Sequence, residues 1–418
     1  MNSSQNIPNR AIVIGGGAAG YFGAIACART HPAMQVMLLE ASRQPLAKVR
    51  ISGGGRCNVT HSCFDPALLV QNYPRGGKAL RGSFSRFQPR DTVRWFERLG
   101  ITLKTEADGR MFPTTDTSET IVEGLQSAAW DAGVKVLVGT PAIGVRPMSL
   151  ERGGFEVALK DGKTMKGDRL LLATGSNPKG YRWARDLGHT IEPPVPSLFT
   201  FNIADGGLRA LAGISMPKAR VQLPEGKLVQ EGPLLVTHWG LSGPAILKLS
   251  AWGARFLHDR GYKTSLRVNW LPQFDEETLR QTLQTARGEA AKKAIASYCP
   301  LPLPKRLWQY FLDRLGVESG KRWTELSKKT LNALIRELMQ GEYQITGKGA
   351  YKEEFVTCGG VKLKEVNFKT MESRRCPHLY FAGEILDIDG VTGGFNFQSA
   401  WTTSWIAGQA MGRGDEVG

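Results

Sequence analysis

The chain has 418 residues, 41% hydrophobic and 22% charged, the balance of an ordinary soluble globular protein with room for two or three domains. Six scattered cysteines, with no C-x-x-C and no histidine spacing suited to zinc, exclude a disulfide scaffold and a structural metal site and point to a reducing cytoplasm. A net charge of +16 attracts polyanions, so nucleic acid or an anionic surface becomes a candidate partner.

Residues 1–9 form a short polar head with no basic targeting segment. AIVI (11–14) is an apolar strand, and Gly15-x-Gly17-x-x-Gly20 then opens a small-residue helix reaching about Arg29. VMLLE (36–40) is the next buried strand and ends on an acid, which completes a βαβ unit. The glycines stand where strand turns to helix, so this apolar stretch reads as fold and not as a membrane span. KVRISGGGRCN (48–58) reads as an arginine-flanked strand running into three glycines. Such a triplet belongs where a ligand touches main-chain N–H groups or where φ turns positive.

Residues 89–99 suit a helix with Pro89 in its first turn and Gly100 beyond its end. Strands are expected at 134–139, 155–160 and 169–175. A proline-rich joint, EPPVPS (192–197), precedes short β-like pieces that run to about Pro272. Helical periodicity covers 275–340, and strand and glycine loop return from Ile345 to a last helix over Phe397–Met411. The expected fold is α/β: a discontinuous Rossmann-like domain of residues 1–195 plus 345–418, a β-rich insert at 196–273 and a helical insert at 274–344.

Gly15 permits a tight turn, Gly17 lets a pyrophosphate approach the backbone, and Gly20 lets the helix pack on the strand. The helix start then offers free N–H groups and partial positive charge to phosphates. Glu40, twenty residues past Gly20, can accept both ribose hydroxyls and disfavours a 2′-phosphate, which leaves FAD or NAD. LYFAGEILDIDGVTGGFNFQSAW (379–401) supplies a strand, a glycine turn and a helix start after Gly393 and Gly394. In flavin enzymes of this ground plan such a helix aims its positive end at the flavin ring, so FAD is the expected cofactor, held non-covalently. LLLATG, ending in Thr174 and Gly175, is a further piece expected beside it.

GGGAAG, SGGGRCN, EADGRMFP, THWGLSGPAIL, EEFVTCGGV, TMESR and FAGEILDIDGVTGGFNFQSAW occur in this order over nearly the whole chain. Together they resemble the BaiN/RdsA-like flavoproteins. The resemblance implies a Rossmann-like FAD domain, a β-barrel-like insert and a helical insert. It assigns Gly15, Gly17, Ala18, Ala19, Gly20 and Glu40 to the adenosine and pyrophosphate, and Lys48 with Gly53, Gly54, Gly55, Arg56, Cys57 and Asn58 to the segment beside the flavin. Gly383, Glu384, Gly394, Phe395 and Asn396 fall to the ribitol and ring, and Ala142 joins the expected cofactor contacts. ATGSNPKGYRWARDLGH departs from the family's longer glycine and serine loop, so substrate contacts are not carried over there. Members act on steroid C=C bonds, a small aminoketone and a uridine of ribosomal RNA.

Cys57 is the candidate catalytic residue: Arg56 and exposed N–H groups are expected to lower its pKa, and as a general acid it protonates a carbon while reduced flavin delivers hydride. A disulfide reductase is the first rival. Its cysteine pair is separated by four residues, whereas five lie between Cys57 and Cys63, and no second dinucleotide fingerprint for NADPH is visible. Arg86, Arg90, Arg94 and Arg98 recur every four residues, and residues 286–330 carry ten cations against four acids. Structured RNA is the partner such surfaces fit, with Trp308, Tyr310 or Trp323 available to stack a base. The leading reading is an RNA-modifying reductase of pyrimidine C5=C6. A small-molecule flavin reductase or an amine or aminoketone oxidase, and a flavin-binding protein without turnover, stay open as alternatives. So does the electron donor, for NADH or NADPH can bind transiently over a flavin.

Overall fold

The computed structural model describes residues 10–148, 153–349 and 356–412. The polar head and residues 353–355, which open the EEFVTCGGV motif, lie outside the described residues. The chain divides into two compact units, 1–195 with 356–418, and 196–355.

The first unit is built on β1 (Arg10–Ile14), α1 (Ala18–Thr30), β2 (Gln35–Leu39), α2 (Ala47–Gly55), α3 (Pro89–Glu97), β3 (Lys135–Leu137), β4 (Arg169–Leu172), β5 (Val366–Asn367), β6 (Glu372–Ser373), β7 (Leu379–Phe381) and α4 (Phe395–Met411). One seven-stranded sheet runs in the order β5-β6-β7-β4-β1-β2-β3, parallel from β7 to β3. Ile14 pairs with Leu39 on one side and Leu172 on the other, and Leu172 pairs with Phe381. Residues from opposite ends of the chain thus share one sheet. Ala11, Ile12, Val13, Leu170, Leu171 and Leu172 are all fully buried, the near-continuous apolar run of a parallel strand covered on both faces. Burying each of the larger side chains is worth roughly 1.5–3 kcal/mol. α1 and α4 are buried nearly all round and cross through small residues. A Cβ on Gly408 would lie 2.4 Å from the Gly23 carbonyl oxygen.

One sequence expectation is overturned here, and two others gain a place in the fold. KVRIS is not a strand: Ala47–Gly55 is helical up to a break at Ser52 and the glycines. Phe155–Leu159 stands outside the main sheet, in an antiparallel three-stranded sheet with Ala142–Pro147 and Thr164–Gly167. The proline-rich joint is itself extended, Ile191–Ser197 pairing with Val356–Val361. Proline lacks an N–H, so it is compatible with a two-stranded sheet in which each strand has a free edge.

A buried polar cluster ties the loop before this joint to the antiparallel edge. His189 Nε2 lies 2.8 Å from Ser373 Oγ, and Nδ1 lies 3.2 Å from Glu365 Oε2. Glu365 also accepts from Thr190 N and Oγ1, each at 2.8 Å, and from Arg375 at 2.7 Å. Burial lowers the His189 pKa below its usual 6.5. Burial alone would raise Glu365, but the Thr190 and Arg375 hydrogen bonds hold it below the usual 4.5. Both groups are lowered in the folded state, so their stabilisation is complete above the unfolded values and is lost as pH falls. The thermal midpoint should therefore drop in two stages, below pH 6.5 and again below pH 4.5, with His189→Gln flattening the first. A first stage unchanged in that variant would disprove the assignment.

The second unit holds a closed antiparallel barrel of Phe201–Ile203, Gly240–Ser242, Leu228–Val236, Ser215–Leu223, Thr264–Asn269 and Gly341–Lys348. Helices Glu276–Glu289, Lys305–Arg314 and Lys328–Gln340 lie in the chain before its last strand. They share one apolar core with the barrel, where Trp270 packs on Phe311 and donates to Tyr343 OH at 3.1 Å. Two boundaries are corrected by this. The helices are not a separate body, and Gly341–Lys348 closes the barrel, so the Rossmann-like unit resumes after it and not at 345. The burial of GEYQITGK alternates with period two, the mark of a strand, but directly after a helix that period is short and easily read through.

Candidate functional site

At the carboxyl edge of the sheet the chain reverses between β1 and β4, the crevice in which open α/β sheets place ligands. A Cβ at Gly15 would lie 2.4 Å from Ala173 O, and one at Gly20 would lie 1.8 Å from Gly15 O. Those two glycines answer to protein packing. At Gly17 an added Cβ meets nothing within 4 Å, and no side chain caps α1, so the N–H groups of its first turn face open space. Ala18 and Ala19 stand in that first turn, with Gly383 close behind: its Cβ would reach Ala19 Cβ at 2.8 Å.

Glu40 follows β2. Its carboxylate accepts from Gly16 N at 2.6 Å and from Ser42 N at 2.7 Å, which fixes the side chain and leaves further lone pairs for hydroxyl donors. The segment that carries Ala142 runs beside it, since Thr140 N donates to Glu40 O at 2.8 Å. Among the described residues none partners the buried Thr174 Oγ1, and Glu384 Oε2 would lie 3.5 Å from a Cβ on Gly175.

Gly53, Gly54 and Gly55 have φ of 59°, 69° and 83°, three consecutive left-handed residues that a side chain would strain. Gly53 is held close to the Phe112 ring, while around Gly54 and Gly55 an added Cβ would meet nothing within 4 Å. The triplet therefore offers bare backbone to one side. Asn58, with its amide oriented to satisfy both neighbours, donates to Thr60 O at 3.0 Å and accepts from Gly394 N at 2.9 Å. Gly394 has φ of 89°, and α4 starts there with no side-chain cap.

The start of α4 is braced from below. Gln398 Oε1 accepts from Thr60 Oγ1 at 2.6 Å and from Thr92 Oγ1 at 2.9 Å. Tyr73 OH donates to Phe395 O at 2.6 Å, and His61 stacks on the Phe395 ring at 4.7 Å. Asn396 makes two bonds to the Gly390 backbone, at 2.8 and 2.9 Å. Lys48 pairs with Glu384 at 2.6 Å, and the other Glu384 oxygen accepts from Thr357 N at 2.9 Å. Asp389, fully buried, forms a two-point pair with Arg75. Sequence reading missed Tyr73, Arg75, Asp389 and Gln398. DIDG marks a polar turn, but nothing local names Arg75 as its partner.

The expected lowering of the Cys57 pKa is overturned. Its side chain is 0% exposed, and burial pushes the thiol up to about 12, with a smaller opposing contribution from Ser52. Arg56 turns away to Glu106 at 2.7 Å and Asp116 at 3.5 Å and stacks over Phe112. Cys57 and Cys63 are both free thiols. Base stacking by the helical segment is corrected as well. Trp308 and Trp323 are 0% exposed and stack on each other, and Tyr310 is buried with its hydroxyl on Asp205 at 2.8 Å.

Two uncapped helix starts, a carboxylate beside the first, and glycine backbones open on one face together fit FAD: the first half suits an anionic pyrophosphate with its ribose, the second a flat ring. Among the described residues, no cluster of three or more His, Cys, Asp or Glu could hold a metal, and no helix is long and apolar enough to cross a membrane.

The chain is 30% identical to the 3-dehydro-bile acid delta(4,6)-reductase of Clostridium scindens, over 96% of this chain and 98% of that one. It is 31% identical to the ribosomal RNA dihydrouridine synthase of Escherichia coli, over 96% and 97%. Its fold matches that of the 3-ketosteroid-delta4-(5alpha)-dehydrogenase of Rhodococcus jostii with a TM-score of 0.52 at 13% identity, covering 99% of each chain. A family profile described as HI0933-like protein Rossmann domain matches residues 9–410. With that profile spanning nearly all of a chain whose sheet edge and helix starts suit a flavin dinucleotide, this protein belongs to the HI0933-like family and is an FAD-dependent oxidoreductase.

Proposed function

We propose that this protein reduces a carbon–carbon double bond, and that its substrate is a uridine in RNA, converted to dihydrouridine. The observation that carries the reading is full-length similarity, near 30%, to a bile acid reductase and a ribosomal RNA dihydrouridine synthase. Both names denote the addition of two hydrogens across a double bond. The chain's +16 charge favours the polyanionic substrate of the two. The same reading places the protein in the cytoplasm.

When bound and reduced, FAD would supply the hydride, with NADH or NADPH as its transient source, and solvent water would supply the proton that completes the pair of hydrogens. Gly15 to Gly20 and Glu40 hold the adenosine half, with Ala142, Thr174 and Gly175 beside it. Lys48, Gly53 to Asn58, Gly383, Glu384 and Gly394 to Asn396 frame the ring half. In this assignment the N-terminus of α4 stabilises negative charge at the ring, and the open glycine backbone leaves room for a planar substrate. Cys57 serves as packing beneath the loop.

To test this, the reduced holoenzyme is mixed anaerobically with ribosomal RNA from cells lacking the gene. The expected result is reoxidation of the flavin together with a gain of two hydrogens on a uridine. Cys57→Ser should keep turnover within a few-fold, because a general acid would cost roughly 10²–10⁴-fold. Reoxidation by a steroid enone with RNA unchanged would move the assignment to a small-molecule reductase. Reoxidation by no double-bond acceptor would leave a flavin-binding protein without turnover.

A further inference from the structure

Several exposed or half-buried arginines of the chain are held by acids, among them Arg50 by Glu119, Arg146 by Glu156, Arg260 by Glu225 and Arg267 by Glu342. The segment 77–98 is different, with six cations against two acids. One of those acids, Asp91, is already used, accepting from Gln88 N at 2.9 Å in the capping box of α3. Among the described residues, Arg90, Arg94 and Arg98 form no ion pair, and all three are exposed.

Helix geometry explains the arrangement. Thr92 and Phe96 are fully buried, and Arg90 and Arg94 lie two positions from them, about 200° round the helix. The face that holds Gln398 through Thr92 therefore points inward while the arginines point out. Rise along α3 sets successive arginines about 6 Å apart, close to the separation of neighbouring phosphates on a nucleic-acid strand. Arg86, just before the helix, donates to the Lys369 carbonyl and so brings another exposed cation alongside. At the other contact, Arg90 lies over the Phe64 ring at 5.3 Å. Phe64 is three residues past His61, which stacks on Phe395 at the start of α4. The stripe thus begins beside the ring half of the cradle.

We propose that the outer face of α3, with Arg90, Arg94 and Arg98 at its centre, is the surface that grips the phosphate backbone of the RNA substrate. The inference rests on the RNA reading above. Guanidinium groups suit phosphate because they offer planar paired donors. Free of acids, these three are available to displace the counterions that RNA carries.

The test compares the holoenzyme with the triple variant Arg90→Gln, Arg94→Gln, Arg98→Gln and with the matching triple lysine variant. Binding of a fluorescein-labelled stem-loop RNA is measured across a salt series. The glutamine triple should bind at least about tenfold more weakly, and its log–log salt slope should be shallower by about two to three, while the lysine triple keeps the wild-type slope. Retained flavin absorbance in each variant verifies the fold. If the wild type binds RNA with a steep slope and the glutamine triple matches it, the surface assignment is wrong and the RNA reading stands. If the wild type shows no salt-dependent RNA binding, both fall. Loss by the triple of binding to phosphatidylglycerol vesicles, with RNA binding intact, would reassign the stripe to a membrane surface.

Discussion

Gly20→Val should yield a colourless protein with a markedly lower thermal midpoint. Even the first atom of the new side chain would sit 1.8 Å from the Gly15 carbonyl oxygen, with Leu38 Cδ1 at 3.3 Å on the other side. Backbone oxygen cannot rotate aside, so α1 must move off the sheet and carry its first-turn N–H groups away from the pyrophosphate. Overpacking of this kind costs about 1–3 kcal/mol or more, and each 1.4 kcal/mol lost from cofactor binding is about tenfold in affinity. Gly17→Ala separates the two effects. Its methyl group enters space that no protein atom occupies within 4 Å, so the melting curve should hold while FAD affinity falls. Flavin fluorescence titration and circular dichroism melts read both variants. A yellow, stable Gly20→Val protein would overturn this packing account.

Arg75→Met should be the most destabilising charge substitution in the first unit. Asp389 is 0% exposed, and removing the guanidinium takes the counter-ion from a charge held away from water. Breaking such a pair from one side costs about 3–5 kcal/mol, roughly 6–20 °C in midpoint for a unit of this size. The damage should reach the cofactor as well. Asp389 is followed by Gly390, whose N–H and carbonyl hold Asn396 in the first turn of α4. FAD occupancy should therefore fall with stability. The double variant Arg75→Met, Asp389→Leu should recover much of the loss, because a buried ion pair contributes little beyond an apolar pair of similar volume. Equal instability of single and double variants would show that the pair itself, and not the charge left without its counter-ion, matters.

Local spacing made much of the site legible. Gly15, Gly17, Gly20 and Glu40 form a pattern that one strand, one turn and one helix suffice to explain, and the structure sets them together at the end of β1. The glycine triplet was equally readable, since three residues at positive φ exclude side chains wherever they stand. Cys57 was not. Its neighbour Arg56 is adjacent in sequence but is drawn off by Glu106 and Asp116, fifty and sixty residues away, while the thiol is sealed inside. Trp308 and Trp323 misled in the same way. An aromatic among cations looks like a stacking platform, yet the same residue serves a core once a second indole packs on it.

By itself, then, the sequence determined the cofactor class, the discontinuous α/β domain and the exposed run of arginines, because each follows from residue types repeated at strand, turn or helix spacing. The tertiary structure alone decided that the barrel closes with Gly341–Lys348, that Arg75 neutralises Asp389 and that Cys57 is shut from solvent. Those outcomes depend on groups far apart in the chain meeting out of water. Burial and pairing between distant residues leave no period in the sequence.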